Sequence, residues 1–196
     1  MFDVFEQYIK EMIPGLTATD VNLLREGSLI KKVAKKEKLL VEGEVSHYKI
    51  FVTNGLLRNY SIGENGNEYI MRFTDAGNWT TDPESYYTGA PSQYYIDAIE
   101  PSVVVMFSRD EFERLKQLLP SLARFSEEVI TRTATLNQKR VLMNISATAE
   151  EKYLDFIDTF PGIFHRVPLH MVASYLGVSR ETLTRIRQGL TVGAKN

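Results

Sequence analysis

The pattern of apolar and polar positions changes period twice along the chain. Between residues 2 and 30, Phe2, Phe5, Ile9 and Ile13 recur at three- and four-residue steps, which places them on one helical face. Pro14-Gly15 interrupts that run, and Thr17 and Thr19-Asp20 offer caps for a second short helix through Leu23 and Leu24. From about 31 to 107 the pattern is that of strands. Gly43, Gly55, Gly66, Gly77 and Gly89 fall 12, 11, 11 and 12 residues apart. Between them lie Lys49–Val52, Leu56–Tyr60, Tyr69–Phe73, Tyr94–Ile96 and Val103–Phe107, rich in β-branched and aromatic residues. Short strands punctuated at this interval predict an antiparallel sandwich or barrel. Asn65-Gly66 predicts a tight type I′ hairpin, which needs positive φ at both central positions. The pairs Lys31-Lys32 and Lys35-Lys36 read as a solvated strand edge.

Helical periodicity returns at Arg109, is punctuated by Pro120, and continues through residues 121–145, which contain neither Gly nor Pro. Leu122, Val129, Leu136 and Met143 repeat every seven residues and are the expected dimer row of a long helix. Its companion row is polar: Ser126, Thr133 and Arg140 in one register, or Phe125, Arg132 and Lys139 in the other. A second stripe, Ile130, Ala134, Val141 and Ile145, is expected to face the β-region. A single amphipathic helix on its own core fits the same periodicity. The expected organisation is a β-region with flanking helices over 1–120, the long helix over 121–146, and a C-terminal module over 147–196.

Composition narrows the class. With 196 residues, 43% hydrophobic and 24% charged, the chain is globular. No apolar run reaches the length of a membrane span, and MFDVFEQYIKEM lacks a basic leader, so a cytoplasmic protein with no membrane partner is expected. The chain has no cysteine, which removes disulfides, thiol nucleophiles and cysteine-ligated metal or iron–sulfur centres. Only His47, His165 and His170 remain, and no metalloprotease, hydrolase-elbow or phosphate-loop motif occurs, so no enzyme and no metal are expected. A cupin-like barrel enzyme would need a histidine and carboxylate cluster, and His47 is the one histidine of the β-region.

The charge is unevenly placed. From His165 to Asn196, Arg166, Arg180, Arg185, Arg187 and Lys195 face the single acid Glu181, a net +4. The rest of the chain is then −6, with 18 basic residues against 24 acidic ones. A basic segment on an acidic body is the charge pattern of a nucleic-acid-binding module.

That segment contains residues 168–188, PLHMVASYLGVSRETLTRIRQ, which reads as helix, tight turn, helix. Leu169, Val172, Ala173 and Leu176 give the first helix an apolar face, and Gly177 suits a left-handed turn. Val178 plugs the turn, Ser179 caps the second helix, and Leu183 and Ile186 face inward. This is a helix-turn-helix, whose second helix enters the DNA major groove. Arg180, Glu181, Thr184 and Arg185 lie on its outward N-terminal half. Arginine can grip guanine through two hydrogen bonds, and glutamate can accept from cytosine. Ser179 and Thr182 are short hydroxyls suited to phosphate, and His170 on the first helix is placed to reach the backbone. A salt-bridged surface helix would show a similar Arg/Glu face.

Gly177-Val178-Ser179-Arg180-Glu181-Thr182 followed by Arg185 closely resembles the recognition element of the Crp/Fnr (catabolite activator) transcription regulators. The resemblance covers nearly the whole chain. It implies an α+β fold: an antiparallel β-roll like a cyclic-nucleotide-binding jelly roll, a long dimerisation helix, and a C-terminal winged-helix-like helix-turn-helix. It also implies a bacterial regulator that binds palindromic double-stranded DNA as a homodimer and contacts RNA polymerase. Arg180, Glu181 and Arg185 would read bases, with Ser179 and Thr182 on phosphate.

Two departures from the family pattern matter. Aligned from Gly77, the family's glycine–glutamate pair falls on Thr81-Asp82 and its arginine–serine pair on Ser92-Gln93. Without that arginine a buried cyclic phosphate lacks its charge partner, so tight cyclic AMP binding is not expected and the effector is unknown. The missing cysteines exclude the iron–sulfur sensing of one family branch. Trp79, Thr81, Asp82, Ser92, Gln93 and Tyr94, with Tyr86, Tyr87 and Tyr95 nearby, are the candidates to line an effector pocket, although aromatic strand residues also serve as core packing. The second departure is the short end: after Leu190 only six residues remain, so the wing is expected to be short or absent, through truncation or loss. The alternative function is a ligand-sensing β-roll module that acts through protein partners.

Overall fold

In the computed structural model the described residues are 1–193, with side chains described through Leu190. The elements run α1 (Phe2–Met12), α2 (Ala18–Glu26), β1 (Leu29–Val33), β2 (Lys38–Leu40), β3 (Tyr48–Asn54), β4 (Leu56–Ile62), β5 (Glu68–Asp75) and β6 (Trp79–Thr80). They continue with α3 (Pro83–Thr88), β7 (Tyr95–Ala98), β8 (Ser102–Ser108), α4 (Arg109–Leu118), α5 (Pro120–Ser146), α6 (Ala149–Thr159), α7 (Leu169–Leu176) and α8 (Arg180–Gly193).

The strands form two four-stranded sheets, ordered β1-β8-β3-β6 and β2-β7-β4-β5. All five expected strands are present. The short β2 and β6 lacked a sequence signal because two or three residues cannot display a period. The glycine rhythm is the turn system of the roll: Gly43, Gly55, Gly66, Gly77 and Gly89 all have positive φ. At Gly55 the demand is double, because φ is +99° and a Cβ would lie 2.6 Å from the Ser102 Cα. The β4–β5 hairpin differs from the expected type I′ turn. Its connection is Gly63–Asn67, with the Gly66 N–H donating to the Gly63 carbonyl at 2.8 Å, and only Gly66 adopts positive φ. This is a type I turn closed by a left-handed residue, which the longer loop permits.

Chain contacts divide the protein into two units: residues 1–61 with 72–131, and residues 62–71 with 132–196. The division runs through α5 and assigns the hairpin tip to the C-terminal unit.

In the first unit, α1 lays Phe2, Phe5 and Ile9 into a cluster with Phe51, Phe107, Phe112 and Leu115. Of the caps the sequence offered for α2, Thr17 is the one used, in a capping box with Asp20. A second cluster fills the roll between the sheets, with Val52, Leu57, Ile96, Ala98, Val104 and Met106. Across the adjacent strands β4 and β7, Arg58 and Asp97 are register partners and form a buried ion pair, with Nε–Oδ1 2.7 Å and Nη2–Oδ2 3.0 Å.

The long helix corrects the expected assignment of its stripes. Leu122 is 1% exposed and lies in the chain's own core with Phe125, and Val129 packs on the same cluster. Leu136 is exposed and Met143 is half-buried. The stripe expected to face the β-region is instead the open one: Ile130, Val141 and Ile145 are 46%, 57% and 79% exposed, and Ala134 is exposed. The reason is local. Phe125 meets Tyr8 of α1, with ring centroids 6.2 Å apart, and this contact fixes which side of the helix turns inward.

Candidate nucleic-acid interface and sensor cassette

The helix-turn-helix forms in the second unit as the spacing required. Val172, Ala173 and Leu176 of α7 and Leu183 of α8 are buried together with Tyr153 and Phe156 of α6. Gly177 takes φ +66°, ψ 35°. Its N–H donates to the Ser174 carbonyl at 3.2 Å, and that of Val178 to the Ala173 carbonyl at 3.0 Å. Those two bonds are the Schellman closure that ends α7 and sets the turn. Ser179 then starts α8 by accepting from the Thr182 N–H at 3.1 Å.

All but one of the sequence-predicted readers are open to solvent. Ser179, Arg180, Glu181, Thr184, Arg185 and His170 are exposed, and Thr182 is half-buried. Their hydrogen bonds sort them by use. The Ser179 hydroxyl pairs with that of Thr182 at 3.0 Å, so both belong to the cap. The Thr184 hydroxyl donates to the Arg180 carbonyl at 2.9 Å. Its own backbone N–H first, then the Ser179 hydroxyl, hold the Glu181 carboxyl below its ordinary range. Arg185 makes no ion pair among the described residues, and nothing in that set spends its guanidinium. Arg187, in contrast, lies over the Phe164 ring at 5.4 Å and serves the module itself. No strand follows α8 among the described residues; the expected place of a wing, beyond Leu190, falls largely on Thr191–Asn196, where side chains and then the last three residues lie outside the description.

The cassette residues separate. Thr81, Asp82, Ser92 and Tyr94 come together. The Ser92 hydroxyl donates to Asp82 Oδ2 at 2.7 Å, while Asp82 Oδ1 accepts from the Ser85 N–H at the start of α3 at 3.3 Å. The Tyr94 N–H donates to Ser92 Oγ at 3.1 Å. Thr81 bonds the Tyr48 carbonyl at 3.0 Å. Gln93 points to solvent. Trp79 is not a pocket residue: it packs in the first unit's core against Phe5, Phe51, Phe107 and Phe112. An indole brings large apolar area, and the core beneath α1 takes it. Tyr86 is also wholly buried, and burial pushes its phenol far above its usual range.

Sequence reasoning missed Lys49. It sits on β3 at 8% exposure, with Nζ donating to the Tyr87 hydroxyl at 3.0 Å and Ser126 Oγ at 3.2 Å, and 4.6 Å from the Phe112 centroid. Burial lowers its ammonium to about 8. A lysine in an apolar run was its only sequence signal. His47 is exposed and lines a shallow depression with Val45, Gly89, Ser108, Arg109 and Asp110. No group of three or more metal-ligating side chains forms among the described residues. No helix in that set is long and apolar enough to cross a membrane.

A glycine-turned β-roll, a long helix and a capped helix-turn-helix make up the described chain. Residues 30–117 match the cyclic nucleotide-binding domain family. The chain is 25% identical over 180 residues to the transcriptional activator protein FnrA of Stutzerimonas stutzeri, covering 84% of this chain and 70% of that protein. It is 24% identical over 190 residues to the transcriptional activator protein Anr of Pseudomonas aeruginosa, covering 88% and 75%. The solved structure of FixK2 from Bradyrhizobium japonicum superposes with a TM-score of 0.73 at 20% identity, over 85% of this chain and 86% of that one. Over most of its length the chain is similar to Crp/Fnr-type transcription regulators. Its relatives are transcription regulators and not enzymes, the class the sequence indicated.

Proposed function

We propose that this chain is a homodimeric, sequence-specific DNA-binding regulator that reads a palindrome through α8 without cyclic AMP. The observation that carries the reading is the uncovered N-terminal half of α8, where Arg180, Glu181 and Arg185 are exposed on a helix whose start is fixed by Ser179. Arg180 and Arg185 reach base edges in the major groove with Thr184 beside them, Glu181 accepts from an exposed base amine, and Ser179, Thr182 and His170 lie toward the phosphates. The second copy docks on the apolar surface of α5 left open by the chain's own core, and RNA polymerase is the further partner the family resemblance implies.

Selection of bound sites from random DNA duplexes tests this directly. The expected product is a palindrome whose half-site centres lie about 34 Å apart, bound with steep salt dependence. Arg180→Ala and Arg185→Ala should each cost roughly 1–3 kcal/mol on that duplex and relax specificity at one position. Recovery of no preferred sequence, or parent-like binding by both variants, defeats the reading.

The cassette supports the absence of cyclic AMP control. Residues 77–93 contain no basic side chain, and the Asp82 carboxylate is already engaged by Ser92 and the Ser85 N–H. A cyclic phosphate entering there would be desolvated without a cation. The residues do not fit a cyclic nucleotide. Titration calorimetry with cyclic AMP is expected to show no binding at micromolar concentrations; a micromolar dissociation constant would refute this.

A further inference from the structure

The hairpin tip, the second half of α5 and α7 meet at one side chain. Arg140 of α5 donates from Nη1 to the Met71 carbonyl, and from Nη2 to the carbonyls of Ile70 at 3.2 Å and Tyr175 at 3.1 Å. Its guanidinium carbon lies 4.0 Å from the centroid of the Tyr175 ring. That ring in turn meets Phe156 and Phe160 at the end of α6, with centroids 5.4 and 5.9 Å away. No carboxylate pairs with Arg140 among the described residues, and burial lowers its pKa.

Two of the carbonyls it holds lie at the margins of regular structure, on the edge strand β5 and in the last turn of α7. The Schellman closure satisfies the carbonyls of Ala173 and Ser174, and the Tyr175 carbonyl in the same last turn accepts from Arg140. Strand β5 is the edge of its sheet, so the outward backbone groups of Ile70 have no strand to meet. Ser174 of α7 completes the arrangement. Its hydroxyl accepts from the Ile70 N–H at 2.9 Å and donates to the Glu68 carbonyl at 2.7 Å, standing in for a neighbouring strand.

From this we infer that Arg140 and Ser174 are positioning residues for the recognition helix: they seat α7 on the free edge of the β4–β5 hairpin and so hold α8 in its reading orientation. The inference rests on the DNA-binding reading above. Neither residue is among the proposed readers: Arg140 bonds the Tyr175 carbonyl, and Ser174 bonds the Ile70 N–H and the Glu68 carbonyl. A guanidinium suits the role because its planar fork spans several carbonyls at once, and a lysine ammonium does not. A pre-seated helix pair loses less freedom when it enters the groove.

The test uses the full chain, its Arg140→Met, Arg140→Lys and Ser174→Ala variants, and the duplex that the parent selects from random DNA. Each variant should bind that duplex about tenfold more weakly, the size expected for losing a charged or bridging hydrogen bond. Affinity for an unrelated duplex of equal length should stay unchanged. Amide hydrogen exchange should speed up at Ile70 and through α7 and α8, while thermal unfolding reported by Trp79 in the first unit stays at the parent value. Should Arg140→Met fail to fold, Ser174→Ala carries the comparison. Parent-like duplex affinity in the folded variants, or parent-like exchange in α7 and α8, overturns the inference. If the parent selects no duplex, the DNA-binding reading fails instead, and the exchange arm alone decides whether these residues hold α7.

Discussion

Replacing Val141 by glutamate is expected to convert the protein to a monomer and to weaken its hold on a palindrome by about 100-fold or more, the scale of lost bivalency. Val141 is 57% exposed in the single chain, so the substitution removes no intrachain core contact. The neighbouring Leu142 and Ile145 are more exposed still, at 63% and 79%. An apolar surface of this kind on a regular helix is stable when a second copy covers it, and a carboxylate within the seam would then be buried without a partner. Two half-sites held by one dimer bind as a unit, whereas two monomers bind each half-site alone. Sedimentation velocity gives the oligomeric state, and a gel-shift titration on one- and two-half-site duplexes gives the affinity. A dimeric Val141→Glu protein with parent-like affinity would mean that the seam lies elsewhere.

Asp97→Ala is expected to destabilise the first unit by about 3–5 kcal/mol, because it leaves Arg58 buried without its carboxylate. Both side chains are nearly inaccessible, and the pair is bonded through two parallel contacts of 2.7 and 3.0 Å. The guanidinium also lies 4.0 Å from the Tyr60 centroid, and Tyr60 stacks on Tyr95 at 5.2 Å, so the cation is packed on its face as well as paired at its edge. The large cost belongs to breaking the pair and not to the pair's net contribution. Replacing both residues together by apolar ones of similar volume should cost far less than Asp97→Ala alone. Urea unfolding followed by the fluorescence of Trp79, the chain's single tryptophan, reads the unit that contains the pair. Equal losses for the single and the double replacement would refute this account.

The helix-turn-helix was legible in the sequence almost residue by residue. Its signals are local: a glycine where a left-handed turn is required, a serine that caps a helix three residues upstream of its bond partner, and apolar residues at helical steps. The five glycines of the roll were legible for the same reason, since positive φ is a demand on one residue and its immediate neighbours. The hairpin turn type was not, because Asn65-Gly66 fits either a two-residue or a longer connection, and the pairing of β4 with β5 decides which.

The long helix shows where sequence reading stops. Its periodicity gave two apolar stripes and a polar row, without saying which stripe the chain would keep for itself. The packing of Leu122 and Phe125 beneath α1 settled that for the first turns of the helix, which the chain keeps for its own core. The polar row that looked wrong for a coiled coil has a use that periodicity cannot express. Ser126 accepts from the buried Lys49, and Arg140 gathers carbonyls from residues 70 and 71 and from residue 175. The sequence by itself therefore determined most of the elements, the glycine turns of the roll, the helix caps and the candidate reader residues, because conformational preference and amphipathic period act over a few residues. Only the tertiary structure decided which face of α5 is buried and what Lys49, Ser126, Arg140 and Ser174 do. Their partners lie 35 to 106 residues away in the chain, and burial and hydrogen-bond satisfaction are properties of the assembled fold.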